Sequence, residues 1–228
     1  MTKTEEKRLE REAKAKAKLE KEKERIYALS AYEREYAACG YICGIDEVGR
    51  GPLIGPVVTA AVILPKGYFH KDIKDSKKLT EKKREEMYEI ITRDALAIGI
   101  GISSEKVIDE INILEATKKA MKEAIKNLEV TPEHILIDAV KLDIDVPSTS
   151  IIKGDALSES IAAASIIAKV TRDRMMDEMD KEYPMYDLKN NKGYGTKKHL
   201  EALEEYGPCK YHRFTFAPVK NSVKEAVK

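Results

Sequence analysis

Three apolar runs in this chain end on acid. Ile42-Cys43-Gly44-Ile45 runs into Asp46-Glu47, Ile135-Leu136-Ile137 into Asp138, and Ile151-Ile152-Lys153-Gly154 leads to Asp155. Short β-branched runs read as buried strands. A carboxylate at such a strand end is costly to bury unless it is paired or bound to a cation. One acid of this kind is most simply a turn former, because Asp bonds its own backbone in turns. Three carry more weight if their strands lie side by side. Their acids then converge on one edge of a sheet, near the helix that begins after Asp155.

The rest of the pattern supplies that sheet. Tyr41–Asp46 reads as a buried strand, and Gly49-Arg50-Gly51-Pro52 breaks it. Pro56–Leu64 is a second strand and Ala95–Ser103 a third; His134–Asp138 is a fourth and Ser150–Lys153 a short fifth. Thr80 can cap a helix over Glu81–Thr92. Apolar periodicity predicts helices over Ser104–Leu128 and Leu157–Met179, and Thr196–Tyr206 forms a last helix before mostly coil. Ile161–Ala168 is apolar nearly all round and should be buried. Strands that come first as neighbours and then alternate with helices imply an α/β fold, a mixed sheet of about five strands flanked by helices.

The length of 228 residues suits one domain with a small appendage. We expect a charged, helical N-terminal extension over residues 1–38, a catalytic domain over 39–182 and a helical or coiled, substrate-binding C-terminal extension over 183–228. Residues 1–35 sustain no heptad seam, so they read as a solvated helix tied down near Ile26–Tyr36. No apolar run approaches the roughly 18 residues of a membrane span, and the N-terminus lacks a signal-peptide pattern. Cys39, Cys43 and Cys209 form no metal-spaced set and read as free thiols of a reduced, cytoplasmic compartment.

Net charge is only +1, yet residues 65–84 carry eight Lys/Arg against three acids, and residues 189–220 seven against three. Such patches either grip phosphates or form solvated faces.

A convergent set of carboxylates suits Mg²⁺ or Mn²⁺ rather than zinc. Two such ions can activate a water and stabilise the leaving oxygen in phosphodiester cleavage. His70, His134, His199 and His212 are scattered, and no P-loop or Ser/His/Asp order stands out. Gly49 and Gly51 let backbone amides approach a ligand, and Arg50 can fork onto a phosphate. Taken alone, the same tripeptide is equally a turn with a surface Arg.

Together these residues form a recognisable set. Gly44-Ile45-Asp46-Glu47-Val48-Gly49-Arg50-Gly51-Pro52 resembles the opening signature of ribonuclease HII. So do Asp75-Ser76-Lys77-Lys78-Leu79, Lys153-Gly154-Asp155, Ser160-Ile161-Ala162-Ala163-Ala164-Ser165, Gly193-Tyr194-Gly195-Thr196 and His212-Arg213. The resemblance covers about residues 41–220 in the family's order. It implies an RNase H-like fold, hydrolysis of RNA in RNA–DNA hybrids, and incision 5′ of ribonucleotides embedded in duplex DNA. By the same resemblance, Asp46, Glu47, Asp138 and Asp155 are the catalytic and metal-holding acids, with two divalent ions and products bearing 5′-phosphate and 3′-hydroxyl ends. Gly49, Arg50 and Gly51 contact the 2′-hydroxyl and adjacent phosphate, Tyr194 packs on the sugar after the junction, and Lys77 meets a phosphate. A monomer is expected, and a replication clamp on the tail is left open as a partner. Arg50 and the lack of an extra N-terminal domain separate the chain from the sister type, ribonuclease HIII. A DNA-cutting nuclease of the same fold and a silent hybrid-binding module are the competing readings. Asp155 sits at a helix start, where capping would be a second role.

Overall fold

The computed structural model describes residues 3–225, with side chains from Arg11 to Val223 apart from Lys18. Five strands form one mixed sheet: β1 (Ile42–Val48), β2 (Val57–Ile63), β3 (Ala97–Ser103), β4 (His134–Asp138) and β5 (Ser148–Ile151), in the order β3-β2-β1-β4-β5. β1–β2 and β2–β3 are antiparallel, whereas β1–β4 and β4–β5 are parallel. The helices are α1 (Lys3–Leu29), α2 (Ala31–Glu35), α3 (Glu81–Asp94), α4 (Glu105–Lys126), α5 (Glu159–Glu182), α6 (Leu188–Asn191), α7 (Lys197–Tyr206) and α8 (Ala217–Glu225).

Both faces of the sheet are covered, as the unbroken apolar run of β2 requires. Every residue of β2 is buried. Because successive strand side chains face opposite ways, Ala60 and Val62 pack with Ala162–Ala164 of α5, while Ala61 and Ile63 pack with Met121 and Ala124 of α4. Helix α5 lies directly on β1. A Cβ on Gly44 would stand 2.1 Å from the Ser160 carbonyl carbon, so only glycine admits this contact. Ser158–Ala168 is buried throughout, as the apolar periphery of that segment demands.

Several boundaries differ from the sequence expectation, each for a local reason. The fifth strand ends at Ile151, because Lys153 adopts a left-handed conformation (φ 60°, ψ 43°) that strands do not accept. Helix α5 starts at Glu159 with Ser158 as its cap, Oγ accepting from Ile161 N at 3.2 Å, so Asp155 does not cap it. Helix α4 is interrupted at Asn112 (φ 69°), whose Oδ1 accepts from Leu114 N and Glu115 N and caps the second half. The tail after Tyr206, expected to be mostly coil within a helical or coiled extension, contains α8, which packs through Val219 against Leu53, Ile54 and Leu203. Thr80 caps α3 as expected, and Thr196, read as the first residue of the last helix, caps α7.

The N-terminal helix is tied down where its apolar content rises. Arg25 donates to Lys71 O (2.7 Å), Leu29 is buried in the core, and Glu33 Oε1 accepts from Ser158 Oγ (2.6 Å) and Ser160 N (3.0 Å). Tyr36 stacks on His134 with ring centroids 3.9 Å apart. All three cysteines are free thiols. No helix among the described residues is long and apolar enough to cross a membrane.

Candidate active site

Parallel pairing of β1, β4 and β5 puts their C-terminal ends on one edge of the sheet. Ile45 is in register with Ile137, and Asp138 with Ile151, so Asp46, Glu47 and Asp138 stand on neighbouring strand ends. Asp155 joins them through the turn after β5: Gly154 N donates to Asp138 Oδ1 at 2.7 Å. Three of the four acids are pushed up by burial and by neighbouring charge. Burial raises the Asp46 carboxyl well above the carboxylate range, reinforced by the charges of Glu47 and Asp138. Glu47 is raised by burial and by Asp138, against the pull of Arg50 and Lys77. Asp155 is raised by burial, then by Asp75 and Asp138.

Asp46 is held by its surroundings, and one oxygen of Glu47 is not. Asp46 Oδ1 accepts from Glu47 N at 2.7 Å, and its carboxyl accepts from Ser165 of α5, whose Oγ lies 2.8 Å from Ser76 Oγ and can accept its proton. Glu47 Oε2 is buried without any hydrogen-bond partner. A buried carboxylate oxygen left unsatisfied beside three further acids is a strong cation acceptor. The donor set is all oxygen, which fits a hard divalent ion. Among the described residues, no three acidic, His or Cys side chains are already drawn into ligating geometry. Mutual repulsion keeps such carboxylates apart until a cation offsets it.

Lys77 lies in the turn Ser76–Lys78, where Asp75 Oδ1 accepts from its amide at 2.9 Å. Burial alone would lower its pKa, but Asp75, Asp46, Asp155 and Asp138 together raise it. Its ammonium therefore lies in the field of these four acids. Arg50 pairs with Glu47 at 3.4 Å.

The Gly49–Gly51 loop is shaped by two buried guanidiniums that sequence reasoning missed. Arg213 donates to the carbonyls of Gly49, Arg50, Pro52 and Gly55. Arg172 donates to Ile54 O (3.2 Å), Pro56 O (3.0 Å) and Lys192 O (2.8 Å). Both are 0 % exposed, and neither forms an ion pair among the described residues. Burial pushes Arg213 down to about 9 and Arg172 to about 10, so both stay charged at pH 7. Arg213 had been counted in the basic stretch of residues 189–220, but it belongs to the interior; Lys192, Lys198 and Lys210 of that stretch are ion-paired with Asp177, Asp187 and Glu182. Gly49 (φ 95°) has no room for a Cβ, which would lie 2.3 Å from Arg172 Nε. Tyr194 is half-exposed beside the loop: a Cβ on Gly51 would stand 3.4 Å from its Cε1. Leu53 N donates to Gly193 O at 2.8 Å and ties the two segments together. The structure thus gathers Asp46, Glu47, Asp138, Asp155, Lys77 and Arg50 around one edge, and places Tyr194 against Gly51.

The ribonuclease HII family model matches residues 43–219. The chain belongs to the ribonuclease HII family. It is 60 % identical over 198 residues to the ribonuclease HII of Bacillus cytotoxicus, covering 86 % of this chain and 76 % of that one. Against the ribonuclease HII of Bacillus mycoides it is 58 % identical over 199 residues, covering 86 % and 77 %. Among solved structures it resembles ribonuclease H2 from Pyrococcus horikoshii (TM-score 0.74, 28 % identity, 83 % of this chain and all of that one). The RNase HII of Archaeoglobus fulgidus, solved in complex with PCNA, matches with TM-score 0.67 at 27 % identity over 78 % and 96 % of the chains. An RNase HIII solved with Mn²⁺ shares the fold (TM-score 0.65, 18 % identity, covering 82 % and 70 %). Ribonuclease HII membership makes the chain an endonuclease, a phosphodiester hydrolase, and implies cleavage of RNA in RNA–DNA hybrids.

Proposed function

We propose that the enzyme cuts the RNA strand of RNA–DNA hybrids and incises 5′ of single ribonucleotides in duplex DNA, leaving 5′-phosphate and 3′-hydroxyl ends. The observation that carries this reading is the junction of two features: four strand-end acids with an unsatisfied buried oxygen on Glu47, and a loop at Gly49–Gly51 that lies beside Tyr194.

Asp46, Glu47, Asp138 and Asp155 would hold two Mg²⁺ or Mn²⁺ ions. Bound there, such ions supply a lowered water pKa and neutralise charge on the departing oxygen. The protein's own contribution is positioning. Ser165 and the Glu47 amide fix Asp46, and the Gly154 amide fixes Asp138. Arg172 and Arg213 place two buried positive charges without a direct ion pair beside the Gly49–Gly51 loop, where a phosphodiester would be a complementary partner. The loop's backbone and Arg50 would meet the 2′-hydroxyl and phosphate, and the Tyr194 ring the sugar. A 2′-hydroxyl separates RNA from DNA at a site, so these groups carry the selectivity. Lys77 would move from the acids to a phosphate once cations are present. Residues 183–228 would act as the substrate-binding extension. The neighbour solved with PCNA supports a clamp as a partner, and the free thiols suit a reduced cytoplasm.

The test is a substrate panel with Mg²⁺ or Mn²⁺: a uniform hybrid, a duplex with one ribonucleotide, and an all-DNA duplex. Cutting of the first two only, abolished by chelation, is expected. Cutting of the all-DNA duplex at a similar rate would overturn the selectivity.

A further inference from the structure

Behind Tyr194 lies a directional chain of hydrogen bonds that the acid site does not use. Cys209 N donates to His212 Nδ1 at 3.0 Å. His212 Nε2 stands 3.1 Å from His199 Nε2, and His199 Nδ1 stands 3.0 Å from Tyr194 O. Both imidazoles are fully buried. A backbone N–H can only donate, so His212 Nδ1 is an acceptor and its proton sits on Nε2. His199 Nε2 must then accept, which leaves the proton on Nδ1, aimed at the Tyr194 carbonyl. Each ring's tautomer follows from the last, and every atom of the chain is satisfied only in this direction. Tyr186 packs edge-on against His212 with centroids 4.7 Å apart and locks that ring's orientation.

We infer that His199 and His212 are positioning residues that set Tyr194 against Gly51, and thereby the enzyme's preference for a ribonucleotide sugar. This rests on the reading that the Tyr194 ring meets that sugar. Tyr194 itself is half-exposed, and its ring makes no hydrogen bond recorded among the described residues, so its place depends on its backbone. That backbone is held by Tyr194 N on Asn191 O (3.0 Å), by Thr196 N on Tyr194 O (2.8 Å), and by His199. The last leads through His212 to the 209–212 segment, beside the Leu53 N–Gly193 O and Arg172–Lys192 O bonds that hold the preceding residues of the turn. Arg213, next in sequence to His212, clamps the Gly49–Gly55 carbonyls. One short segment, residues 209–213, therefore sets both the tyrosine and the glycine loop beside it.

The experiment uses the full chain and a duplex with one embedded ribonucleotide, measuring kcat and KM for wild type, His199→Asn, His199→Gln, Tyr194→Ala and the double variant Tyr194→Ala/His199→Gln. An Asn amide nitrogen overlays Nδ1 and keeps the donor to Tyr194 O, whereas a Gln amide lies at the Nε2 end and loses it. His199→Gln should lose about tenfold in kcat/KM, the scale of one buried hydrogen bond, and His199→Asn should recover most of that loss. In the Tyr194→Ala background the His199→Gln change should cost nothing further. Nitrogen NMR of histidine-labelled wild-type protein should show His199 as the Nδ1–H tautomer and His212 as the Nε2–H tautomer. A normal rate in Tyr194→Ala would remove Tyr194 from the site and with it the underlying reading. A damaged Tyr194→Ala beside a fully active His199→Gln, an additive double variant, or the opposite tautomers would overturn the positioning role alone. Should His199→Gln not fold, the tautomers and His199→Asn still decide.

Discussion

The amide of Gly154 donates to Asp138 Oδ1 at 2.7 Å and joins the end of β4 to the turn that carries Asp155. A Cβ at this position would stand 2.6 Å from Ile161 Cδ1 and 3.3 Å from the same Asp138 oxygen. Ile161 Cδ1 is the movable end of a side chain, so Gly154→Ala should cost only about 1–2 kcal/mol of stability. A displaced Asp155 should be felt more strongly in catalysis, about a hundredfold in kcat, because small misplacements at a reacting centre are that costly. Denaturant titration and turnover on the same preparation separate the two effects.

Asp46→Asn should make the metal-free protein more stable while removing activity. The buried Asp46 carboxyl is pushed well up by desolvation and by Glu47 and Asp138. A raised carboxyl pKa means the folded state holds the proton longer than the unfolded state does. Stability is therefore lost as pH rises from the unfolded value near 4 through the folded value. The asparagine carries no charge and its oxygen can still accept from Glu47 N. Unfolding in chelator at pH 8 should show a higher midpoint for the variant, with the difference vanishing at pH 4. Divalent ions should stabilise wild type more than the variant.

Glu159 gives a second pH signature away from the acids. Burial pushes its carboxyl up to about 7, with Glu33 adding to the shift and the His70 amide opposing it. Between about 4.5 and 7 the unfolded chain releases this proton and the folded chain does not, so stability falls with rising pH. The full effect, on the order of 3 kcal/mol, is present above pH 7. Glu159→Gln keeps an acceptor for His70 N (now at 2.7 Å) and should raise the midpoint at pH 8 but not at pH 4.5.

Arg213→Met should be severe. It removes the fork that bonds the carbonyls of Gly49, Arg50, Pro52 and Gly55, leaving buried acceptors unpaired at about 1–3 kcal/mol for each group. A thermal melt should show a marked loss of stability, and Arg213→Lys should restore only part of it, because one ammonium cannot span the fork.

The strands that carry chemistry were legible because apolar runs are bounded by acid, and the three strands that end on them lie side by side in the sheet. The cap at Thr80 was legible because the side chain bonds its own helix, whereas Ser104 and Thr196, read as first helical residues, are caps of the same kind. What stayed hidden is long-range. Arg213 read as one more basic residue on a surface patch, yet its partners lie some 160 residues earlier in the chain. Ser165 and His212 were visible only as motif members and His199 only as a scattered histidine, since nothing local says which backbone or carboxyl they will meet. The break at Asn112 was masked by apolar periodicity that continues across it.

The most direct test is one duplex with a single embedded ribonucleotide, incubated with Mg²⁺ or Mn²⁺ and wild type or Asp138→Asn, with the cut mapped to the nucleotide. Asn Oδ1 can still accept from Gly154 N, so the variant should fold. Several kcal/mol of transition-state stabilisation would be gone, a loss of at least about a thousandfold in rate. The account predicts cleavage 5′ of the ribonucleotide by wild type, with 5′-phosphate and 3′-hydroxyl ends, and none above background by the variant. Cleavage by folded Asp138→Asn at the wild-type rate would contradict it.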